Sequence, residues 1–111
     1  MIQITLDNDV NNLPRVAEFT SLYWNEDIKQ IAVKCRYGVY QNGNFTYGIK
    51  YLQMVADNTT WVNSKGETVP EGTPDAMGEY DFFMMMIENP IDLPALIQSY
   101  MNKAKLAGRF D

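Results

Sequence analysis

The chain contains no histidine, and its single cysteine, Cys35, lies inside a stretch that alternates apolar and polar residues as a buried strand does. Histidine is the usual base, proton shuttle and metal ligand at neutral pH. Its absence removes Ser-His-Asp and Cys-His arrangements and any histidine-ligated metal site. Carboxylate, lysine, tyrosine and serine chemistry remains, but no spacing assembles those groups into a catalytic site. The expectation is a non-enzymatic protein with no catalytic residues, no cofactor and no resident metal.

Two sets of carboxylates come nearest to a site. Asp7, Asp9, Asn11 and Glu18 fall at the first, third, fifth and twelfth positions of a calcium-loop spacing, which would gather the oxygens a hard cation needs. Asn12, however, stands where that loop turns on a glycine, Pro14 stiffens its second half, and a strand precedes it. A polar turn is the preferred reading. Glu79, Asp81 and Glu88 offer the side chains of a glycosidase-type pair, yet nothing fixes two of them across a cleft. Cys35, among Ile31, Val33, Tyr37 and Val39, reads as a small core residue rather than a reactive thiol.

The partners are constrained by charge and apolar surface. With 111 residues and a formal charge of −5, the chain opposes the basic footprint of nucleic-acid binding. Glu71, Asp75, Glu79, Asp81, Glu88 and Asp92 follow one another with no lysine or arginine between them. A solvated acidic face explains them, with a patch for a basic protein as the sharper alternative. The rings of Tyr37, Tyr40, Phe45, Tyr47, Tyr51 and Trp61 read as a sheet face packed on helices, with an aromatic-walled ligand pocket as the alternative. Phe82, Phe83, Met84, Met85 and Met86 are the candidate interface, because a small domain has difficulty burying a helix around its full circumference. The amino-terminal MIQITLDNDV has neither the basic start nor the apolar core of a secretory signal. No run has the length of a membrane span. A soluble, cytoplasmic protein without a membrane partner is expected.

The elements that would hold these residues form one α+β domain over 1–111, mainly strand over 1–69 and mainly helix over 74–108. An antiparallel meander of four to six strands is followed by two helices. Ile2 to Leu6 alternates, Arg15 to Trp24 is apolar but less regular, and Ile28 to Tyr40 is the clearest strand, with Ile31, Val33, Cys35, Tyr37 and Val39 on one face. A three-residue loop, Gln41 to Gly43, would pair Val39 with Phe45, Tyr37 with Tyr47 and Cys35 with Ile49, putting the apolar side chains on one face. A two-residue Asn42-Gly43 turn would mix the faces. Thr60 to Asn63 and Glu67 to Val69 suggest a second hairpin. Thr73, Pro74 and Asp75 have the chemistry of a helix entry and Asn89-Pro90 that of an exit, although Glu79 to Ile87 is apolar enough for a buried strand. The last helix carries a stripe of Leu93, Leu96, Ile97, Tyr100, Met101, Ala104 and Ala107, capped by Asp92 and ended at Gly108.

The hairpin YGVYQNGNFTYGIKYL, the closing LPALIQSYMNKAKLAGRFD and the short acidic chain together resemble the small structural proteins of tailed bacteriophages. The resemblance is one of overall character and assigns no role to any residue. It implies a virion or assembly component that packs against copies of itself, as a homo-oligomer, or against neighbouring assembly proteins. Non-enzymatic structural work, with association through exposed strand edges and the Phe82 to Met86 segment, is the expected function, with a small-ligand module or an acidic inhibitor as the competing classes.

Overall fold

The computed structural model describes residues 1–88 and 93–111. A four-stranded antiparallel sheet runs in chain order, β1 (Gln3–Leu6), β2 (Arg15–Asn25), β3 (Gln30–Gln41) and β4 (Asn44–Asp57). A small second sheet holds β5 (Trp61–Val62) between β6 (Thr68–Val69) and β7 (Met77–Gly78). Two helices follow, α1 (Glu79–Ile87) and α2 (Leu93–Leu106). The α+β meander with two carboxyl-terminal helices is the architecture expected from the sequence, and Glu79 to Ile87 is helix.

The β3 alternation places Ile31, Val33, Cys35, Tyr37 and Val39 in the core. The register of β3 against β4 departs from expectation. Asn42 and Gly43 both take positive φ, 53° and 79°, and form the tight two-residue turn, so Gln41 pairs with Asn44 and Tyr40 with Phe45. Two register shifts then follow, giving Val39 opposite Tyr47 and Tyr37 opposite Lys50. Gly48, at φ 65°, lies in the second. Each shift flips β4 by one residue, and together they restore the alternation. The result sets Cys35 against Leu52, Val33 against Met54 and Ile31 against Ala56. A turn that mixes faces locally is compatible with a segregated core because the bulges correct it. The expected pairs, Val39 with Phe45, Tyr37 with Tyr47 and Cys35 with Ile49, do not form.

A further shift between Phe19 and Ser21 explains the irregular pattern of β2. Ala17 and Phe19 face the core before it, Leu22 after it, and the extra residue, Thr20, donates its hydroxyl to Lys34 O at 3.0 Å.

The entry to α1 is also not where local signals place it. Thr73, Pro74 and Asp75 form turns, and the chain first makes β7. The first residue of α1 is Glu79, after Gly78, which has no side chain to cap with. The cap comes from Asn58, whose Oδ1 accepts the Asp81 N–H at 3.2 Å. A Cβ on Gly78 would lie 2.0 Å from that oxygen, so glycine is the residue that lets Asn58 approach. The expected caps at Asn89-Pro90 and Asp92 lie outside the described residues.

α2 buries Ile97, Met101 and Ala104 of its expected stripe, while Ala107 stays exposed. Gly108, at φ 73°, ends it as expected, and Arg109 N–H donates to Ala104 O at 3.0 Å. The turn returns Phe110 to the core, edge-to-face with Tyr37 at 5.1 Å.

Candidate functional site

The expected interface segment is divided by its helix. Phe82 and Phe83 are 2% and 1% exposed, while Met84 and Met86 are half-buried and Met85 is 39% exposed. Phe83 joins the main core and meets Tyr100 edge-to-face at 5.3 Å. Phe82 lies instead beside Gly66, in the loop between β5 and β6. α1 thus buries one phenylalanine in the main core and the other beneath the small sheet. That second cover accounts for a helix that is apolar on more than one side. Of the five residues, the methionines alone reach the surface.

A second apolar surface lies on the other side of the main sheet. The core occupies one face. On the opposite face Tyr23, Ala32 and Val55 stand in one row across β2, β3 and β4, with Tyr23 62% and Val55 44% exposed. Ile28 and Tyr51 are exposed as well. The polar contribution includes Glu18, buried under Arg36, which meets its Oε2 at 2.6 Å, and under Gln3.

Both edges of that sheet receive side chains from the carboxyl-terminal segment. On β1, Gln3 O accepts from Gln98 Nε2 at 3.3 Å. On β4, Val55 O accepts from the Tyr100 hydroxyl at 3.2 Å and Gln53 O from an Arg109 guanidinium nitrogen at 3.5 Å. Three carbonyls that a visiting strand would need are thus taken, one on β1 and two towards the end of β4, while no such contact reaches Asn44 to Leu52 among the described residues.

Tyr100 and Arg109 also wall a cleft of about 400 Å³ with Glu79, Lys103, Thr60 and Thr68. Glu79 is buried, and that burial raises its carboxyl above the ordinary carboxylate range, with Lys103 and the Tyr100 hydroxyl opposing the shift. The Tyr100 hydroxyl lies 3.3 Å from Glu79 Oε1 and shares its proton between that oxygen and Val55 O. Burial and the Glu79 charge hold the phenol protonated well above its usual range. The arrangement can exchange a proton at Glu79 and attract an anion through Lys103 and Arg109. It also ties α1, α2 and β4 together. Asp81 and Glu88 lie on a different groove, with Glu26 and Lys29, so the three acids do not form a pair across one cleft.

The other candidates separate in space. Asp9 Oδ1 accepts the N–H groups of Asn11 and Leu13, at 2.9 and 2.8 Å, and Oδ2 accepts the Tyr47 hydroxyl at 3.2 Å. Glu18, on β2, is held by Arg36 of β3, so Asp7, Asp9, Asn11 and Glu18 form a polar turn and a distant ion pair. Among the described residues no three metal-ligating side chains gather. Burial pushes the Cys35 thiol up to about 11, which keeps it protonated. The aromatic row does not wall one common pocket: Tyr37 and Tyr47 line a cleft of about 450 Å³ beside the Asp7 to Val10 turn, and Tyr40 and Phe45 line a separate one of about 250 Å³. Tyr37 is in the core, Tyr40 packs on Phe45, Tyr47 and Tyr51 are exposed, and Trp61 belongs to the small sheet.

No family model, curated protein or solved structure matches the chain. Among the described residues no helix is long and apolar enough to cross a membrane. Sequence reasoning missed the cleft residues Tyr100, Lys103 and Arg109. Tyr100 and Lys103 are three apart on α2, hence on one helix face, but the Glu79 they meet is brought there by the β7 turn. It missed the open-face row because the Phe19–Ser21 bulge hides which β2 residues point outward.

Proposed function

We propose that this chain is a non-enzymatic structural or assembly subunit that works by packing against copies of itself and neighbouring assembly proteins. The observation that supports this reading is the open sheet face, with Tyr23, Val55 and Tyr51 left in water although the same strands bury their other side, and with Ile28 of the β2–β3 turn exposed at its end. Exposed apolar area forgoes about 25 cal/mol per Å² relative to burial. A face of this kind is a natural site for a second sheet, packed at about 10 Å as in a sandwich. Three long strands, about 4.8 Å apart and rising about 3.3 Å per residue, give a footprint of roughly 500 Å². Side-chain relief brings that toward the ~800 Å² per partner of a stable interface. A virion of a tailed bacteriophage is the setting the resemblance suggests.

The polar cleft around Glu79 favours a second reading, a small-ligand module, although its walls are charged rather than aromatic. Sedimentation velocity at micromolar concentration tests the first. The reading expects a dimer that the double substitution Tyr23→Glu with Val55→Glu converts to monomer without loss of the folded far-UV spectrum. A wild-type protein that stays monomeric up to about 100 μM, a concentration at which even weak interfaces are populated, would overturn it.

A further inference from the structure

The groove between the β2–β3 turn and α1 encloses about 580 Å³. Its lining combines the apolar Met84, Met85 and Tyr80 with Glu26, Asp81 and Glu88 and the single cation Lys29. Among the described residues the one ion pair is Glu18 with Arg36, so none of these carboxylates is neutralised within the chain. Glu88 stands at the carboxyl end of α1, where the helix dipole already disfavours an anion and favours a visiting cation. Tyr80 lines the same groove, its ring buried and its hydroxyl beside Glu26 and Asp81.

The complementary shape is at the end of α2. Leu106 is 87% exposed there, next to Lys105. An apolar knob with a cation beside it matches a lining of apolar and acidic side chains, and methionine side chains adapt to such a knob.

We propose that the groove receives the α2 tip of a second copy, with Leu106 seated on Met84 and Met85 and Lys105 among Glu26, Asp81 and Glu88. The contact rests on the self-association proposed above in taking a second copy as partner, but it uses a different surface and a different force. It is head-to-tail, since groove and tip are different patches, and so it propagates into a ring or a filament rather than closing as a pair. Combined with face pairing, it makes a subunit that assembles in two directions.

A charge exchange in the full chain tests this. Lys105→Glu gives an acidic tip facing an acidic groove, and Asp81→Lys gives a more basic groove facing a basic tip. Each alone should lose the species larger than a dimer, with association weakened about tenfold or more, and an equimolar mixture of the two should restore them. In the wild type those species should fade between about 20 mM and 500 mM salt, as screening shortens the reach of the charges. Thermal unfolding confirms that each variant is folded, and Leu106→Ser, on an exposed helix end, serves as a second variant with the same expected loss.

Wild-type protein that stops at a dimer, unmoved by salt and by both charge changes, would overturn this inference and leave the sheet-face reading standing. Large species that persist in all three variants would overturn it as well. A wild type that never leaves the monomer would overturn both, and large species that survive Tyr23→Glu with Val55→Glu but vanish in Lys105→Glu would support the groove contact alone.

Discussion

Met54 and Val55 are neighbours on β4, but Met54 is sealed beneath the helices while Val55 stands in water beside Ala32 and Tyr23. The same strands therefore carry two apolar surfaces, one closed by α1 and α2 and one not. A single strand residue separates a position that holds the fold from one free to serve contact. Composition alone does not distinguish the two, because both faces draw on valine, tyrosine and isoleucine. What distinguishes them is where the helices lie, and that depends on the turn through β7 into α1 and on the cap that fixes it.

The sharpest way to break the comparison is to exchange costs between its sides. Phe83→Ala removes a ring buried against Tyr100 and should cost about 3–5 kcal/mol, most of the stability of a domain this small. Met54→Ala should cost about 2–5 kcal/mol for the same reason. Val55→Ala and Met85→Ala, one residue along β4 and two along α1, should stay within about 0.5–1 kcal/mol, the scale of half-exposed side chains. Urea unfolding of the four variants decides the matter. A cost at Val55 equal to that at Met54 would mean that the open face is as structural as the closed one.

The next effect lies at the junction. Gly78→Ala drives a Cβ into Asn58 and should displace the α1 cap, costing about 1–3 kcal/mol, while Asn58→Ala should cost about 1 kcal/mol. Once Asn58 is shortened there is room for the new methyl, so the double variant should cost less than the two single costs added, and a thermodynamic cycle from denaturant unfolding measures the difference. Strict additivity would show that Gly78 acts through something other than the approach of Asn58.

The same junction marks how far the sequence could be read. The period-2 pattern of β3 is legible because every residue from Ile31 to Val39 obeys one alternation, and the α2 stripe with Gly108 at its end is legible for the same local reason. The β4 register is not, since a tight Asn42-Gly43 turn and two bulges must be considered together, and each alone predicts a mixed face. The α1 entry misleads because Thr73, Pro74 and Asp75 have the right chemistry in the wrong place, while the true cap lies 23 residues before the N–H it serves. Of the candidate surfaces, the methionines of 84–86 are visible in sequence as excess apolar side chains, but the fate of Phe82 depends on a small sheet whose third strand, β7, is two residues long. The Glu79 cleft exists only at the tertiary level. Its acid, phenol and amine come from two helices whose faces no local pattern relates.

The smallest effect separates a binding role for that cleft from a joining role. Burial raises the Glu79 carboxyl above its ordinary 4.5, so the folded chain holds that proton more tightly than the unfolded one does. Its contribution to stability is complete below the ordinary value and is lost as pH rises through the raised one, a negative slope across the weakly acidic range. Asp57 works the other way: Thr59 lowers its carboxyl below 3.8, and its contribution is lost as pH falls, in a separate and more acidic window. Glu79→Gln keeps an acceptor for the Tyr100 hydroxyl and removes the titration. The melting temperature of the variant should depend less on pH than that of the wild type above the ordinary carboxylate range, and at neutral pH it should equal or exceed the wild-type value, because an uncharged amide is cheaper to bury than a carboxylate. A decline that survives the substitution would place the titrating group elsewhere. A neutral-pH loss of about 1 kcal/mol or more would mean that the charge of Glu79, held against Lys103, is what joins α1 to α2.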